Sequence, residues 1–194
     1  MPRLSAGPGP RICSGMRAFH VLTTLLVLAS VVSAQAQHKP LARSAPATHS
    51  STAPKAIGKF EDWTAAMDME AGQKACYAFA RAQSSSPPLS GRGDVVLTVT
   101  QRATGRDAVA LSAGFEYANN AAVVLQANQT KLDFYTAKRS AFARDGHAAV
   151  IAFRNNSQIA ARSPGPKGKE ITDTFSLRGF DRAYDAIVKE CPPK

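Results

Sequence analysis

The residues of this chain with the clearest capacity for chemistry are a cysteine pair, an Arg-Gly-Asp triplet and an isolated histidine. Cys76 and Cys191 can form a disulfide in an oxidising compartment; the competing reading is two separate buried thiols. They lack the Cys-x-x-Cys spacing of a redox catalyst. Arg92-Gly93-Asp94 is a tripeptide that adhesion receptors can read at an exposed loop tip, and the Ser- and Pro-rich residues 84–91 before it favour such a loop. Gly-x-Gly-Asp ahead of an apolar run is equally ordinary turn chemistry. His147 has no neighbouring Cys and no Glu-x-x-His pattern, a weak basis for zinc or for a general base. The sequence contains no Gly-x-Ser-x-Gly, Ser-x-x-Lys, phosphate-cradling Gly-rich loop or Ca²⁺-loop pattern. No catalytic residue, cofactor or metal ligand is therefore assigned.

The remaining candidates are charges. Arg92, Asp94, Lys138, Arg139 and Arg144 form a possible partner-binding set, and Arg81, Arg102 and Arg106 would add to an anion-binding surface if the fold gathers them. The formal net charge is +10. The cations are scattered and interleaved with Asp107, Asp133, Asp145 and Asp173, whereas nucleic-acid binders concentrate theirs on one stripe. A specific nucleic-acid partner is not expected, although a general affinity for anionic surfaces is.

The compartment is legible at the front of the chain. A basic stretch, an apolar run over residues 21–32 and then Ala34-Gln35-Ala36, with no acid before Glu61, have the layout of a secretory signal peptide. The run is shorter than the roughly 18–20 residues of a spanning helix, so no transmembrane helix is expected once residues 1–36 are removed. Met16-Arg17 makes a compact head for that signal, with Met16 as the expected start, and cleavage after Ala36 exposes Gln37, Ala34 being the alternative. Removal takes Arg3, Arg11 and Arg17 from the 24 basic residues against 14 acidic ones, leaving +7. Cys13 goes with it, so Cys76 and Cys191 remain as an even pair in an exported, periplasmic or secreted chain. Their closure of most of the domain is worth up to about 4–5 kcal/mol in the chain-entropy model. Residues 37–59, rich in Pro, Ser, Ala and Thr, bury too little apolar surface to offset ordering and are read as a flexible tether. Residues 60–194 then form one domain.

Period-two runs must position these groups. Val95, Leu97 and Val99 alternate with Val96, Thr98 and Thr100 as in a half-buried strand. Similar runs at 62–67, 75–80, 108–113, 121–127, 131–135, 148–153, 158–162 and 172–177 bring the total to about nine strands, separated by Asn- and Gly-bearing turns. Trp63, Tyr77, Phe79, Phe134 and Phe153 are read as core, and His147 as the start of a strand. One helix is expected after Gly179, where Phe180, Ala183, Tyr184, Ile187, Val188 and Cys191 recur at spacings of three and four and Pro192-Pro193 stop it. The expectation is an all-β, antiparallel β-sandwich with one C-terminal α-helix.

Phe60-Glu61-Asp62-Trp63, the nearby Cys76-Tyr77 and the closing Phe175-Ser-Leu-Arg-Gly-Phe180 ahead of an amphipathic helix resemble the invasion-associated locus B proteins, small exported proteins of alphaproteobacteria. The resemblance implies an immunoglobulin-like outline for the sandwich and, in pathogenic members, an association with host-cell entry. It departs at Met67, where members often carry a cysteine, and in the lack of a mid-domain cysteine pair, which marks a cysteine-reduced branch. The resulting expectation is a non-enzymatic envelope protein that binds protein or envelope partners. The rival is a small hydrolase or ligand carrier whose site forms only in three dimensions, for instance where His147 meets carboxylates.

Overall fold

A computed structural model describes residues 53–194. The expected signal peptide and most of the tether lie outside these residues. Eleven strands form one antiparallel sheet: β1 (Lys55–Phe60), β2 (Trp63–Glu70), β3 (Gln73–Arg81), β4 (Ser84–Ser86), β5 (Val96–Arg102), β6 (Ala108–Ser112), β7 (Ala122–Ala127), β8 (Thr130–Ala137), β9 (Ser140–Ala143), β10 (Gln158–Pro164) and β11 (Glu170–Ser176). Among the described residues, two helices, α1 (Gly146–Arg154) and α2 (Phe180–Glu190), accompany it. The domain starts earlier than expected, since β1 occupies residues 55–59 of the expected tether and pairs along β2.

The strand order is β1-β2-β3-β5-β6-β9-β8-β7-β10-β11-β4. Because β4 follows β3 after two residues, a single stretch of chain borders β5 at one end and β11 at the other. Ala82 N–H donates to Val95 and Gln83 N–H to Thr174, so consecutive amides stitch both sides of the seam. The sheet thereby folds back on itself, and the two layers of the sandwich come from one continuous ladder. Alternation places Ala78, Ala80, Leu97, Val99, Leu111, Val123, Leu125, Phe134, Ile159, Ile171 and Phe175 inside one core. Tyr77 and Phe79, expected in the core, lie half-buried on the outer face of β3, because Cys76, Ala78 and Ala80 take the inward register.

Helix α2 is the expected one, with Phe180, Ala183 and Ile187 buried. Helix α1 replaces the strand expected over residues 148–153. Asp145 caps it by accepting from Ala148 N–H, and Ala149, Val150, Ala152 and Phe153 bury one face at helical spacing. Gly146 opens this helix where an added Cβ would collide with the Asp107 carbonyl, which brings α1 close to the β5–β6 turn.

Candidate functional site

The Arg-Gly-Asp triplet sits at the seam, and its arginine points inward. Strand β11 turns the Asp173 carboxylate into the core at zero exposure, where an unpaired charge would be costly. Arg92 answers it with a bidentate pair, Nη1 and Nη2 each donating to Asp173 at 2.7 Å. Ser85 Oγ donates to the same carboxylate at 2.6 Å, and Arg92 Nε donates to the Ala113 carbonyl at 2.7 Å. The guanidinium also stacks over Phe115, 5.0 Å from the ring centre. With 5 % of its side chain exposed, Arg92 is corrected from a partner-binding residue to an internal counter-ion. Asp94 stays exposed and pairs with Arg81.

Lys138 and Arg139 form the β8–β9 turn and grip the same loop from its other side. Arg139 Nη2 donates to the Gly114 carbonyl at 2.7 Å, and the Lys138 carbonyl accepts from Tyr117 N–H at 2.8 Å. Gly114 has φ of +74°, and a Cβ there would strike the Gly93 carbonyl, so the two turns nest against each other because position 114 is bare. Burial pushes the Tyr117 hydroxyl up to about 12. Arg144 stands apart on the outer face, its guanidinium 5.8 Å from the Tyr135 ring.

His147 does meet a carboxylate. Asp107 Oδ2 lies 3.1 Å from His147 Nδ1, while Oδ1 accepts from Tyr184 Oη and Gln101 Nε2, each at 2.6 Å. Burial raises the Asp107 pKa, but the hydrogen bonds from Tyr184, Gln101 and His147 outweigh it and hold the carboxyl below its usual value. The Tyr184 hydroxyl is pushed up to about 12, by burial first and then by that carboxylate. A carboxylate on Nδ1 with Nε2 free is half of a charge-relay arrangement. Among the described residues, no hydroxyl or thiol is hydrogen-bonded to the ring, and His147 projects into solvent at the head of α1. The cluster joins β5, the β5–β6 turn, α1 and α2.

Cys76 and Cys191 are bonded, with Cα atoms 5.9 Å apart, the ordinary span of a disulfide. This ties the end of α2 to β3, and Arg106 Nη1 donates to the Cys191 carbonyl at 2.6 Å beside it. At the opposite end of α2 the two terminal motifs meet. Trp63, fully buried, donates from its indole to the Ser176 carbonyl at 3.0 Å and packs edge-on against Phe180 at 4.9 Å. Glu61 pairs with Arg178 and Arg182. Gly179, at φ +85°, passes so close to the Phe60 carbonyl that a Cβ would overlap it.

Two depressions share Ala122 on the outer face of β7 and β8, with volumes of about 500 and 380 Å³. Tyr135 and Arg144 line the smaller; Val124, Lys131 and Arg162 line the larger. Sequence reasoning left Tyr135, Lys131 and Arg162 unassigned. Their alternation along β8 and β10 was visible, but not that β7 carries small residues between them. Among the described residues, no group of His, Cys, Asp and Glu is placed to hold a metal ion, and no helix is long and apolar enough to cross a membrane.

No curated protein matches the chain. Among solved structures, the crystal structure of invasion associated protein B from Bartonella henselae is similar, with 16% identity, a TM-score of 0.52, and coverage of 69% of this chain and 95% of that one. At that identity the likeness is one of fold. The model of the Invasion associated locus B (IalB) protein family matches residues 63–188, from the buried tryptophan of β2 to the last turn of α2. With more than half of its length matched and both terminal motifs joined at Trp63 and Phe180, this chain belongs to the invasion associated locus B family.

Proposed function

We propose that the mature chain is an exported, non-enzymatic envelope protein that acts by presenting a rigid surface to protein or envelope partners, with a role at the host-cell boundary of the kind the family name describes. The observation that carries this reading is the Cys76–Cys191 bond, which joins β3 to the last turn of the chain and belongs in an oxidising compartment. Arg92 and Asp107 support it, since both hold the fold together. Crosslinking in intact cells followed by mass spectrometry tests it. Enrichment of a defined envelope or host component is expected, together with a mature mass lacking residues 1–36. A cytoplasmic protein that retains those residues would overturn it.

The Asp107–His147 contact favours one second reading, a hydrolase whose nucleophile arrives with its substrate or its partner. Turnover of an ester, glycan or peptide that is abolished by His147→Ala would establish that reading in place of the first.

A further inference from the structure

Three rows of side chains cross the outer face where β7, β8, β9 and β10 run side by side. Phe142, Tyr135 and Ala122 form the first row by direct pairing, Asp133, Val124 and Arg162 the second, and Lys131, Gln126 and Ala160 the third. The middle of this face is low because Ala122 and Val124 are small, and the two depressions found there meet at Ala122. Their volumes, about 500 and 380 Å³, fall in the range of ligand sites. Tyr135 stands at one side of the trough with 47 % of its surface exposed, its ring steadied by Phe142 at 5.6 Å and by Arg144.

The charged groups around this floor are free of ion pairs with the described residues, while Gln126 and Thr136 are held by backbone carbonyls. Among the described residues, Lys131, Arg144 and Arg162 make no ion pair, and neither do Asp133 and Glu170 on the same trough. An exposed aromatic ring flanked by both donors and acceptors complements a sugar, which offers an apolar C–H face to the ring and hydroxyls to the charged groups. Three cations against two carboxylates, on a chain that still carries +7 once residues 1–36 are removed, select an acidic sugar over a neutral one, and arginine can grip its carboxylate with two parallel bonds. From β8 to β10 is two strand spacings, roughly 10 Å, so the trough suits a segment of a chain better than a single ring.

We propose that this trough binds an acidic polysaccharide, with Tyr135 as the stacking platform and Arg144, Arg162 and Lys131 as the carboxylate donors. The proposal rests on the envelope-binding reading and names its ligand class. Affinity electrophoresis of the mature protein through gels carrying polygalacturonate, dextran or polyphosphate tests it. Retardation by polygalacturonate and not by dextran is expected. Tyr135→Ala and Arg162→Gln should each weaken it about tenfold or more, equivalent to about 1.4 kcal/mol. Tyr135→Phe should retain binding, and Lys59→Gln, exposed on β1 at the far end of the strand order, should change nothing. Circular dichroism melting of each variant separates lost binding from lost folding. Equal retardation by polyphosphate with no effect of Tyr135→Ala would reduce the site to bulk charge and overturn the proposal. So would absence of retardation while crosslinked partners persist in cells, an outcome that leaves the envelope-binding reading standing. A protein partner lost on Tyr135→Ala without any polysaccharide retardation would make the trough a protein-docking surface instead.

Discussion

The Arg92–Asp173 pair is where a recognition motif and a structural device compete for one side chain, and burial decides between them. At 5 % and zero exposure, neither charge has water to fall back on. Removing one partner strands the other, so Arg92→Met should cost about 3–5 kcal/mol, measured by urea denaturation, whereas the double change Arg92→Met with Asp173→Leu should recover most of that loss. Cell adhesion should be indifferent to Asp94→Glu, because the triplet's arginine is turned away from any receptor. The tyrosines give a second test. Tyr117 and Tyr184 keep their protons up to about 12, so folding holds protons that the unfolded chain releases near its ordinary value of 10. Their contribution to stability is complete below pH 10 and is lost as pH rises through 12. Absorbance titration should show Tyr117 and Tyr184 ionising last, with Tyr77 also raised above its ordinary value by burial, and Tyr184→Phe should remove one of the latest pair. Nothing in the local sequence announces these partners. Arg92 and Asp173 are 81 residues apart, and Tyr184 and Asp107 are 77 apart.

Elements were readable where local pattern and tertiary demand agreed. Residues 95–100 alternate because one face is buried, and α2 shows its stripe because one side of it covers the sheet edge. Residues 148–153 misled because Val150, Ile151 and Phe153 favour strands by type, while the deciding signals were the Asp145 cap and the run of alanines. Strands β4 and β9 are too short, and β4 too polar, to show a period of their own; their partners β11 and β6 define them. Position 179 lies between these cases. Gly179 is legible as a helix boundary, but its close approach to the Phe60 carbonyl is not. Gly179→Ala must strain a left-handed backbone and push β1 away from α2. A loss of about 2–4 kcal/mol is expected in denaturation, accompanied by a red shift of Trp63 fluorescence as the Phe180 contact loosens.

At the scale of the whole molecule, the fold is a long ladder made compact by a few distant ties. Family membership and the all-β architecture could be read from terminal motifs and alternation; the folding back of the ladder at Ala82-Gln83 could not, since it depends on which strand finds β11. The disulfide spans 115 residues, and its replacement by Cys76→Ser with Cys191→Ser should cost about 2–5 kcal/mol, read as a lower urea midpoint and as release of α2 to proteolysis. Reduction of the native protein should reproduce that loss and reoxidation reverse it. The place of Trp63 adds one more consequence. Its indole waits for the Ser176 carbonyl and its ring for Phe180, so β2, though it can already pair with β1 and β3, keeps its tryptophan uncovered until β11 and α2 have been made. Synthesis from the N-terminus therefore leaves the Trp63 side of the sheet uncovered until residues 176–180 are present to close it.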